Sequence, residues 1–201
     1  MPARADIAGR RSDAELITSS LSVPDAFRSV FDRHFDAVHR YLARRVGRAR
    51  ADDLASQTFV VAFERRASFR PEALDARPWL LGIATHLLMN ERRSERRLLE
   101  TAARLAQRGD AARVHIDRQP QELDREVASA LAGLDVDQRD VLLLVAWGEL
   151  SYEEVGEALG IPVGTVRSRL FRARAHVRAE LGLPPALPSP PAPRSQSREV
   201  Q

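Results

Sequence analysis

The sequence predicts an all-α protein with two small helical domains joined by a linker. Aromatic residues make up only 5% of the chain whereas the hydrophobic set makes up 44%, so the core must be largely aliphatic. That composition favours amphipathic helices over a sheet rich in aromatic and β-branched residues. Apolar residues also recur at three- and four-residue steps in two stretches. A polar stretch containing Gly109 and Pro120 separates them and predicts the linker.

The expected boundaries follow these changes of pattern. Residues 1–21 are polar and are expected to form a flexible N-terminus, followed by a first helical domain over residues 22–98. Residues 99–122 are interpreted as a partly helical linker, and residues 123–183 as the second domain. Residues 184–201 are proline-rich and are expected to be disordered. We expect the linker to tether the two domains flexibly.

Three helices are expected in the first domain. The first covers residues 25–47, where Pro24 suits its first turn and Gly47 suits its end. The second covers residues 52–66 and has two aspartates in its first turn, which favours the helix dipole. The third carries apolar residues from Trp79 onward into a basic run that ends at Arg97.

Residues 151–181 predict a helix-turn-helix. Ser151 and Glu154 have the spacing of a capping box, and Gly160 and Pro162 force a sharp turn after the first helix. The second helix has an apolar inner stripe, and its remaining surface carries five arginines, namely Arg167, Arg169, Arg172, Arg174 and Arg178. A basic second helix after a tight turn is typical of a motif that enters the DNA major groove. The alternative is an ordinary helical hairpin with a solvated basic face.

The basic residues suit nucleic acid. All 31 of them are arginines, the formal net charge is +3 and the pI is near 10.3. The planar guanidinium fork bonds guanine edges and phosphates bidentately. Without lysine, the chain can form neither a phosphate-binding loop ending in Gly-Lys-Ser/Thr nor a lysine Schiff base. Codon preference in a GC-rich genome is the simpler explanation of the missing lysines, and both explanations can hold.

No catalytic or metal-binding pattern stands out. The chain has no cysteine, which excludes disulfides and thiolate metal sites. His34 and His39 do not share a helix face as metal ligands would, and they, His115 and His176 are interpreted as surface histidines. The N-terminus lacks a secretory apolar segment, and the aliphatic run at 141–147 is too short to span a bilayer. We therefore expect a soluble cytoplasmic protein that is not an enzyme, with no cofactor, no metal and no membrane insertion.

Two blocks of sequence resemble the extracytoplasmic-function group of bacterial sigma factors. LAGLDVDQRDVLLLVAW and the following GELSYEEVGEALGIPVGTVRSRLFRARAHVRAEL are similar to the promoter-recognition domain of that family. DDLASQTFVVAFERRASFRP and RPWLLGIATHLLMNERRSERR are similar to its N-terminal domain. The blocks cover most of residues 25–183 in the family's order. The resemblance implies a subunit that gives RNA polymerase its promoter sequence.

The resemblance implies three binding surfaces. The second domain would read the −35 element as duplex DNA through Tyr152, Glu153, Thr165, Arg167, Ser168, Arg169, Phe171, Arg172 and Arg174. The first domain would melt and hold the −10 element through Phe69, Trp79, His86, Asn90, Arg92, Arg93, Arg96 and Arg97. The clamp helices of the largest subunit of core RNA polymerase would bind Asp52, Asp53, Gln57, Phe59 and Phe63.

General chemistry supports the −10 assignment, with alternatives. Holding an unstacked base requires a pocket and a basic track for the strand, which the aromatic pair Phe69 and Trp79 and the arginine cluster can supply. A purely core role for Trp79 and a solvated helix end for the arginines remain open. Gln57 stands where the family usually has glutamate, so an expected charge at the polymerase contact is missing. His86 stands where asparagine is common, which leaves the −10 base preference open.

Further expectations concern partners and competing functions. The resemblance implies an anti-sigma factor that covers the polymerase- and DNA-binding faces. The alternative function is a stand-alone helix-turn-helix regulator that binds duplex operators as a dimer without polymerase. A third possibility is an enzyme acting on nucleic acid, against which the lack of a catalytic pattern argues.

Overall fold

The computed structural model describes residues 11–73, 75–106 and 125–184, and every regular element in these ranges is helical. The N-terminal module consists of α1 (Asp13–Ser20), α2 (Arg28–Val46), α3 (Arg48–Glu64) and α4 (Arg77–Ala106). The C-terminal module consists of α5 (Arg125–Ala132), α6 (Val136–Ala146), α7 (Tyr152–Leu159) and α8 (Val163–Glu180). Short 3₁₀ turns at Pro24–Phe27 and Arg66–Ser68 precede α2 and follow α3. The predicted all-α class with a C-terminal helix-turn-helix is confirmed.

Part of the N-terminal segment expected to be flexible is an ordered helix. The Ser12 amide donates to the Glu15 carboxylate at 2.8 Å and the Glu15 amide donates to Ser12 Oγ at 3.2 Å, a capping box that begins α1. Leu16 and Ile17 are buried in the core of the module. The prediction of a flexible 1–21 segment is therefore wrong for α1, because two buried side chains and a cap hold this polar stretch. Residues 1–10 lie outside the described residues.

Asp13 ties α1 to the rest of the N-terminal module. Its carboxylate accepts hydrogen bonds from Arg33 Nη1 at 2.8 Å, from His34 Nε2 at 2.6 Å and from the Ala76 amide at 2.9 Å. Burial raises the pKa of Asp13, but the hydrogen bonds from His34, Ala76 and Arg33, together with the charge of His34, outweigh burial and hold this pKa at about 2. The His34 side chain is only 12% exposed, so the prediction of a surface histidine is wrong here.

Local signals place several helix ends close to their predicted positions, but α3 begins at Arg48 rather than at residue 52, so the prediction that Asp52 and Asp53 lie in its first turn is wrong. Gly47 ends α2 with a φ of 81°, a conformation that favours glycine. Pro78 lies in the first turn of α4, where its missing N–H costs no helical hydrogen bond. α4 extends to Ala106, into the predicted linker, and residues 107–124 lie outside the described residues. Across the described ranges, no helix is both long enough and apolar enough to cross a membrane.

The two modules pack against each other, unlike the expected flexible tether. α4 crosses α7 at Gly82, where an added Cβ atom would lie 2.7 Å from the Ala158 carbonyl oxygen. Arg77 Nε donates to the Gly148 carbonyl at 3.1 Å, from α4 to the loop between α6 and α7. Leu81 packs beside Gly148, and a single apolar core runs through both modules. The missing side chain at position 82 is the physical reason that the backbones can approach so closely.

The Asp13 hydrogen bonds predict a pH-dependent contribution to stability. A carboxylate whose pKa is near 2 in the folded state and near 3.8 when unfolded stabilises the fold above pH 4, and this contribution falls as the pH drops toward 2. We expect Asp13→Asn to lower the free energy of unfolding at pH 7 by on the order of 2 kcal/mol. Urea unfolding at pH 7, 5 and 3 measures the difference from wild type, which should shrink at the lowest pH.

The matched control is Asp25→Asn, which removes an exposed carboxylate from the turn before α2. It should change the free energy of unfolding by much less than Asp13→Asn does at pH 7. An equal effect of both variants, or a difference for Asp13→Asn that does not change with pH, would contradict the assignment.

Candidate nucleic-acid interface

The helix-turn-helix of α7 and α8 is built from local interactions. The Ser151 amide donates to the Glu154 carboxylate at 2.7 Å and the Glu154 amide donates to Ser151 Oγ at 3.2 Å, so the predicted capping box is confirmed. Gly160 ends α7 in the left-handed conformation with a φ of 65°. At Gly156 an added Cβ would lie 3.0 Å from the Ile161 carbonyl oxygen, so the turn folds tightly back on the helix.

α8 presents a basic face to solvent. Val166, Leu170 and Ala173 are buried under it, which fixes the rotation of the helix about its axis. The opposite face exposes the side chains of Arg167, Ser168, Phe171, Arg172 and Arg174. Phe171 is 75% exposed, an unusual environment for a large aromatic side chain in a helix. This surface has the form of a recognition helix that can enter a major groove.

Not every residue predicted for this surface lies on it. Arg169 is half-buried, and its Nη2 donates to the Asp137 carboxylate at the start of α6 at 2.6 Å. Arg169 therefore braces α8 against α6, and the structure does not place it with the exposed arginines. Tyr152 and Thr165 are half-buried, while the exposed Glu153 carboxylate lies 4.0 Å from Arg167 Nη2.

Residues predicted to hold the opened strand lie together at one end of the N-terminal module. The rings of Phe69 and Trp79 meet edge to face with centroids 5.1 Å apart. Phe69 is buried and supports Trp79, which is half-buried and lines a cleft of about 540 Å³ together with the exposed His86. Trp79 therefore does not have a purely core role, because its half-buried side chain also lines the cleft.

The rest of the predicted −10 set follows α4 away from this cleft. The exposed Asn90 and Arg93 line a second cleft of about 310 Å³, which His86 also borders. Arg92 is half-buried. The side chains of Arg96 and Arg97 lie outside the described residues.

The predicted polymerase-binding residues divide into exposed and buried groups. Asp52, Asp53 and Gln57 are exposed on α3, and Asp52 Oδ1 lies 2.8 Å from Nε2 of His39 on α2. Phe59 is only 5% exposed and packs in the core, so its placement on the outer face is wrong. Phe59 lies two positions after Gln57, so on a helix its side chain points to the opposite side from that of Gln57 and is buried in the core.

Two exposed apolar residues on this face were missed by the sequence reasoning. Phe31 is 37% exposed on α2, and its ring meets that of Phe59 edge to face with centroids 4.8 Å apart. Val60 is 57% exposed on α3. Phe63 is half-buried, and the Arg66 guanidinium lies 3.9 Å from its ring centroid. The available signal was that Val60 is apolar although its neighbours on the same helix face, Asp53 two turns before it and Glu64 one turn after it, are charged.

One cluster could be considered for a metal ion. Ligand atoms of Asp13, His34 and Asp75 all lie within 4.8 Å of one another. The Asp13 carboxylate already accepts three hydrogen bonds, and the Arg33 guanidinium beside it opposes a second cation. The chemistry of the cluster fits a hydrogen-bonded tie between α1, α2 and the start of α4 better than a metal centre.

A buried ion pair joins the modules and was also missed. Arg45 of α2 donates to the Asp140 carboxylate of α6, and both side chains are almost fully buried. Burial disfavours the guanidinium charge, but Tyr41 and the Asp140 carboxylate hold the pKa of Arg45 above its ordinary value. The two residues are 95 positions apart in the chain, so no local pattern could have paired them.

Comparisons with known proteins agree with this architecture. The family described as Sigma-70 region 2 matches residues 30–98, and the family described as Sigma-70, region 4 matches residues 124–177. CnrH, solved in complex with the cytosolic domain of CnrY, is 28% identical, with a TM-score of 0.61, over 86% of this chain and 98% of that one. The sigma factor RpoE of Bartonella quintana, solved with the anti-sigma factor NepR, has the same fold at 24% identity and a TM-score of 0.60, over 79% of this chain and 98% of that one.

Curated relatives extend the match over nearly their whole length. The RNA polymerase sigma factor CarQ of Myxococcus xanthus is 33% identical over 159 residues, which cover 79% of this chain and 90% of that protein. The ECF RNA polymerase sigma factor SigL of Mycobacterium tuberculosis is 31% identical over 156 residues, which cover 77% of this chain and 88% of that protein. The chain has a capped helix-turn-helix and a second helical module with exposed arginines, and it matches Sigma-70 regions 2 and 4 in order. It therefore belongs to the extracytoplasmic-function group of RNA polymerase sigma factors.

Proposed function

We propose that this sigma factor directs promoter-specific initiation by reading duplex and opened DNA with different modules while an outer face of α2 and α3 binds core RNA polymerase. The observation that carries the proposal is the exposed basic face of α8, which is set on a buried apolar stripe. The chain acts in this proposal by binding, in the cytoplasm, and carries out no chemistry of its own.

The −35 element is read by the start and middle of α8. Arg167 and Arg172 are exposed and can each bond O6 and N7 of a guanine in the major groove. Phe171 offers an exposed ring that suits the methyl group of thymine. Arg174 lies further along the helix and is suited to a phosphate, which positions the protein without reading sequence.

The −10 element is held by the cleft of the N-terminal module. Trp79 provides an aromatic wall for an extruded base, and His86 provides a polar edge where asparagine is common in the family. Arg93 continues the basic track along α4, on which the sugar-phosphate backbone of the opened strand would lie.

Core RNA polymerase binds the outer face of α2 and α3, with the clamp helices of its largest subunit as the docking element. Asp52 and Asp53 are exposed near the start of α3, Val60 is exposed further along the same helix and Phe31 is exposed on α2, so the proposed face combines acidic and apolar side chains. Such a face suits a partner helix that carries arginines around apolar residues.

Two further assignments complete the proposal. An anti-sigma factor is the expected regulatory partner, and the fold relative from Bartonella quintana was solved with one. A stand-alone regulator is not favoured, because it would need no module similar to Sigma-70 region 2, which matches residues 30–98. A sigma factor is expected to bind core polymerase and a stand-alone regulator is not, so a binding measurement distinguishes the two functions.

Run-off transcription with core RNA polymerase on a promoter library tests the −35 assignment. Arg167→Ala and Arg172→Ala should each reduce start-site-specific RNA by roughly 5- to 100-fold, since a bidentate guanine contact contributes about 1–3 kcal/mol. Arg125→Ala, which removes an exposed arginine from α5, is the matched control and should retain near wild-type transcription. Transcription indifferent to both recognition-helix substitutions would refute the assignment.

The affinity for core polymerase tests the α2–α3 face. Val60→Arg places a cation and bulk at the centre of the proposed contact and should weaken binding at least about tenfold, as expected for a central interface position. The control is Val23→Arg, which changes a valine that is 61% exposed in the turn after α1. Fluorescence anisotropy of a labelled chain titrated with core polymerase measures both, and an equal loss for both variants would contradict the assignment.

A further inference from the structure

Ser68 is an exposed hydroxyl residue that none of the proposed binding surfaces uses. It lies in the short 3₁₀ turn Arg66–Ser68 that follows α3. Its Oγ donates to the Arg65 carbonyl at 2.7 Å, and its amide donates to the same oxygen at 2.8 Å. Both hydrogen bonds stay within the turn. Because the side chain is exposed, a reaction partner can approach the hydroxyl from solvent.

Exposed arginines flank this serine along the chain. Arg65 lies three positions before Ser68 and Arg70 two positions after it, and both side chains are exposed. Arg66 also precedes the serine, but its guanidinium lies over the Phe63 ring and donates to the Phe63 carbonyl. The charges that a partner can meet beside Ser68 are therefore those of Arg65 and Arg70.

The serine and both exposed arginines line the larger cleft, which Trp79 also lines. Arg65 and Arg70 are the two arginines among the described residues of its lining. Arg70 Nη1 lies 3.7 Å from the Glu157 carboxylate, and because both side chains are largely exposed, water screens this pair. A DNA phosphate that accompanies a base onto Trp79 would therefore meet these two guanidiniums.

This arrangement has the chemistry of a protein-kinase substrate. Protein kinases select substrates by charge pattern, and an acidic substrate groove attracts arginines on either side of the accepting hydroxyl. The groove takes a short stretch of chain out of its regular structure, so the accepting residue must lie where the backbone opens readily. The turn at Ser68 is three residues long, and opening it breaks two backbone hydrogen bonds, donated by Ser68 and Phe69.

Ser94 offers a comparison within the same chain. It is exposed and directly follows Arg92 and Arg93, so its sequence surroundings are also basic. Unlike Ser68, it lies inside the 30-residue helix α4. Presenting Ser94 to a groove would unwind about one helical turn, which holds roughly four backbone hydrogen bonds. Local charge is thus similar at the two serines, while the backbone favours Ser68.

We propose that an arginine-directed protein kinase phosphorylates Ser68 in the folded chain, and that the phosphate then blocks capture of the −10 element. The second half rests on the proposed function above. In the transfer, Ser68 Oγ attacks the γ-phosphorus of ATP. The new O–P bond forms as the bond from the γ-phosphorus to the bridging oxygen of the β-phosphate breaks. ADP leaves, and the hydroxyl proton passes to the base of the kinase.

The phosphate acts inside the cleft. A phosphoserine carries about −1.5 to −2 charges at pH 7 and three acceptor oxygens. At position 68 it pairs with the guanidiniums of Arg65 and Arg70, so these groups are no longer available to a DNA phosphate, and its charge repels the strand. Among the described residues, the lining of this cleft includes none from α2, α3 or α8. Binding of core polymerase and reading of the −35 element should therefore persist.

Mass spectrometry of the full-length chain tests the modification. The unphosphorylated protein is incubated with ATP, Mg²⁺ and the catalytic subunit of cyclic-AMP-dependent protein kinase, an arginine-directed serine kinase, as the probe. Tandem mass spectrometry of the digested product then locates the phosphate. We expect one phosphoryl group, on Ser68, and an unmodified chain for Ser68→Ala. No phosphate on Ser68 in the folded wild type, or equal phosphorylation of Ser94, would overturn the site.

Substitution of a flanking arginine tests the recognition. Arg65→Ala should slow phosphorylation of Ser68 by at least about tenfold, because the kinase groove loses a close charge pair. The matched control Arg125→Ala removes an exposed arginine from α5 and should leave the rate unchanged. Equal rates for the wild type and both variants would contradict recognition by charge. Circular dichroism establishes that each variant is folded.

Promoter opening tests the consequence. A promoter selected from the run-off library carries 2-aminopurine in its −10 element, and the fluorescence of this base rises when it unstacks. With core RNA polymerase, the phosphorylated chain should open this promoter at least about tenfold less than the unphosphorylated chain. Ser68→Asp, with a single charge, should fall between them, and the neutral Ser68→Asn should match the unphosphorylated chain. Fluorescence anisotropy should give the same affinity for core polymerase in all four.

Salt distinguishes repulsion from local damage. Because ions screen exposed charges, the inhibition caused by the phosphate should shrink as the salt concentration rises. Equal opening by the phosphorylated and unphosphorylated chains, or an inhibition that does not change with salt, would overturn the blocking role. Failure of every form to bind core polymerase would instead refute the proposed function, while the mass spectra would still decide whether Ser68 is a phosphorylation site.

Discussion

The close crossing of α4 and α7 at Gly82 is the constraint on which the arrangement of this protein depends. Because position 82 has no side chain, the two helix backbones meet and one apolar core continues through both modules. The same approach brings Leu81 against Gly148 and buries Arg45 against Asp140. α4 thereby serves as the core of one module, the docking surface of the other and the support of the proposed −10 residues.

The recognition helix shows how a binding surface is kept rigid by residues that need not touch DNA. Its apolar stripe sets the rotation, and the tight turn at Gly156 and Gly160 sets its direction relative to α7. The Arg169–Asp137 ion pair braces it against α6. An arginine on such a helix can therefore serve structure or recognition, and its partner decides which. Preorganised side chains lose less freedom on binding, which favours affinity for DNA.

The proposed functions occupy neighbouring surfaces. The face of α2 and α3 that suits polymerase lies on the same module as the −10 residues, and α7 borders the cleft that Trp79 and His86 line. The basic face of α8 is exposed to solvent in the same arrangement.

The helix-turn-helix was determined by sequence alone, because its cap, glycine turn and apolar stripe all act within about thirty residues of chain. The helical class and several helix ends were equally local. Tertiary structure decided what depended on distant partners: Asp13 and Ala76 order the N-terminal helix, Phe59 is in the core, and Arg169 pairs with Asp137. Tertiary structure also decided the contact between the modules. Gly82 and the charges of Arg45 and Asp140, which are 95 positions apart, contribute to this contact only because the fold brings α4 and α2 against the C-terminal module.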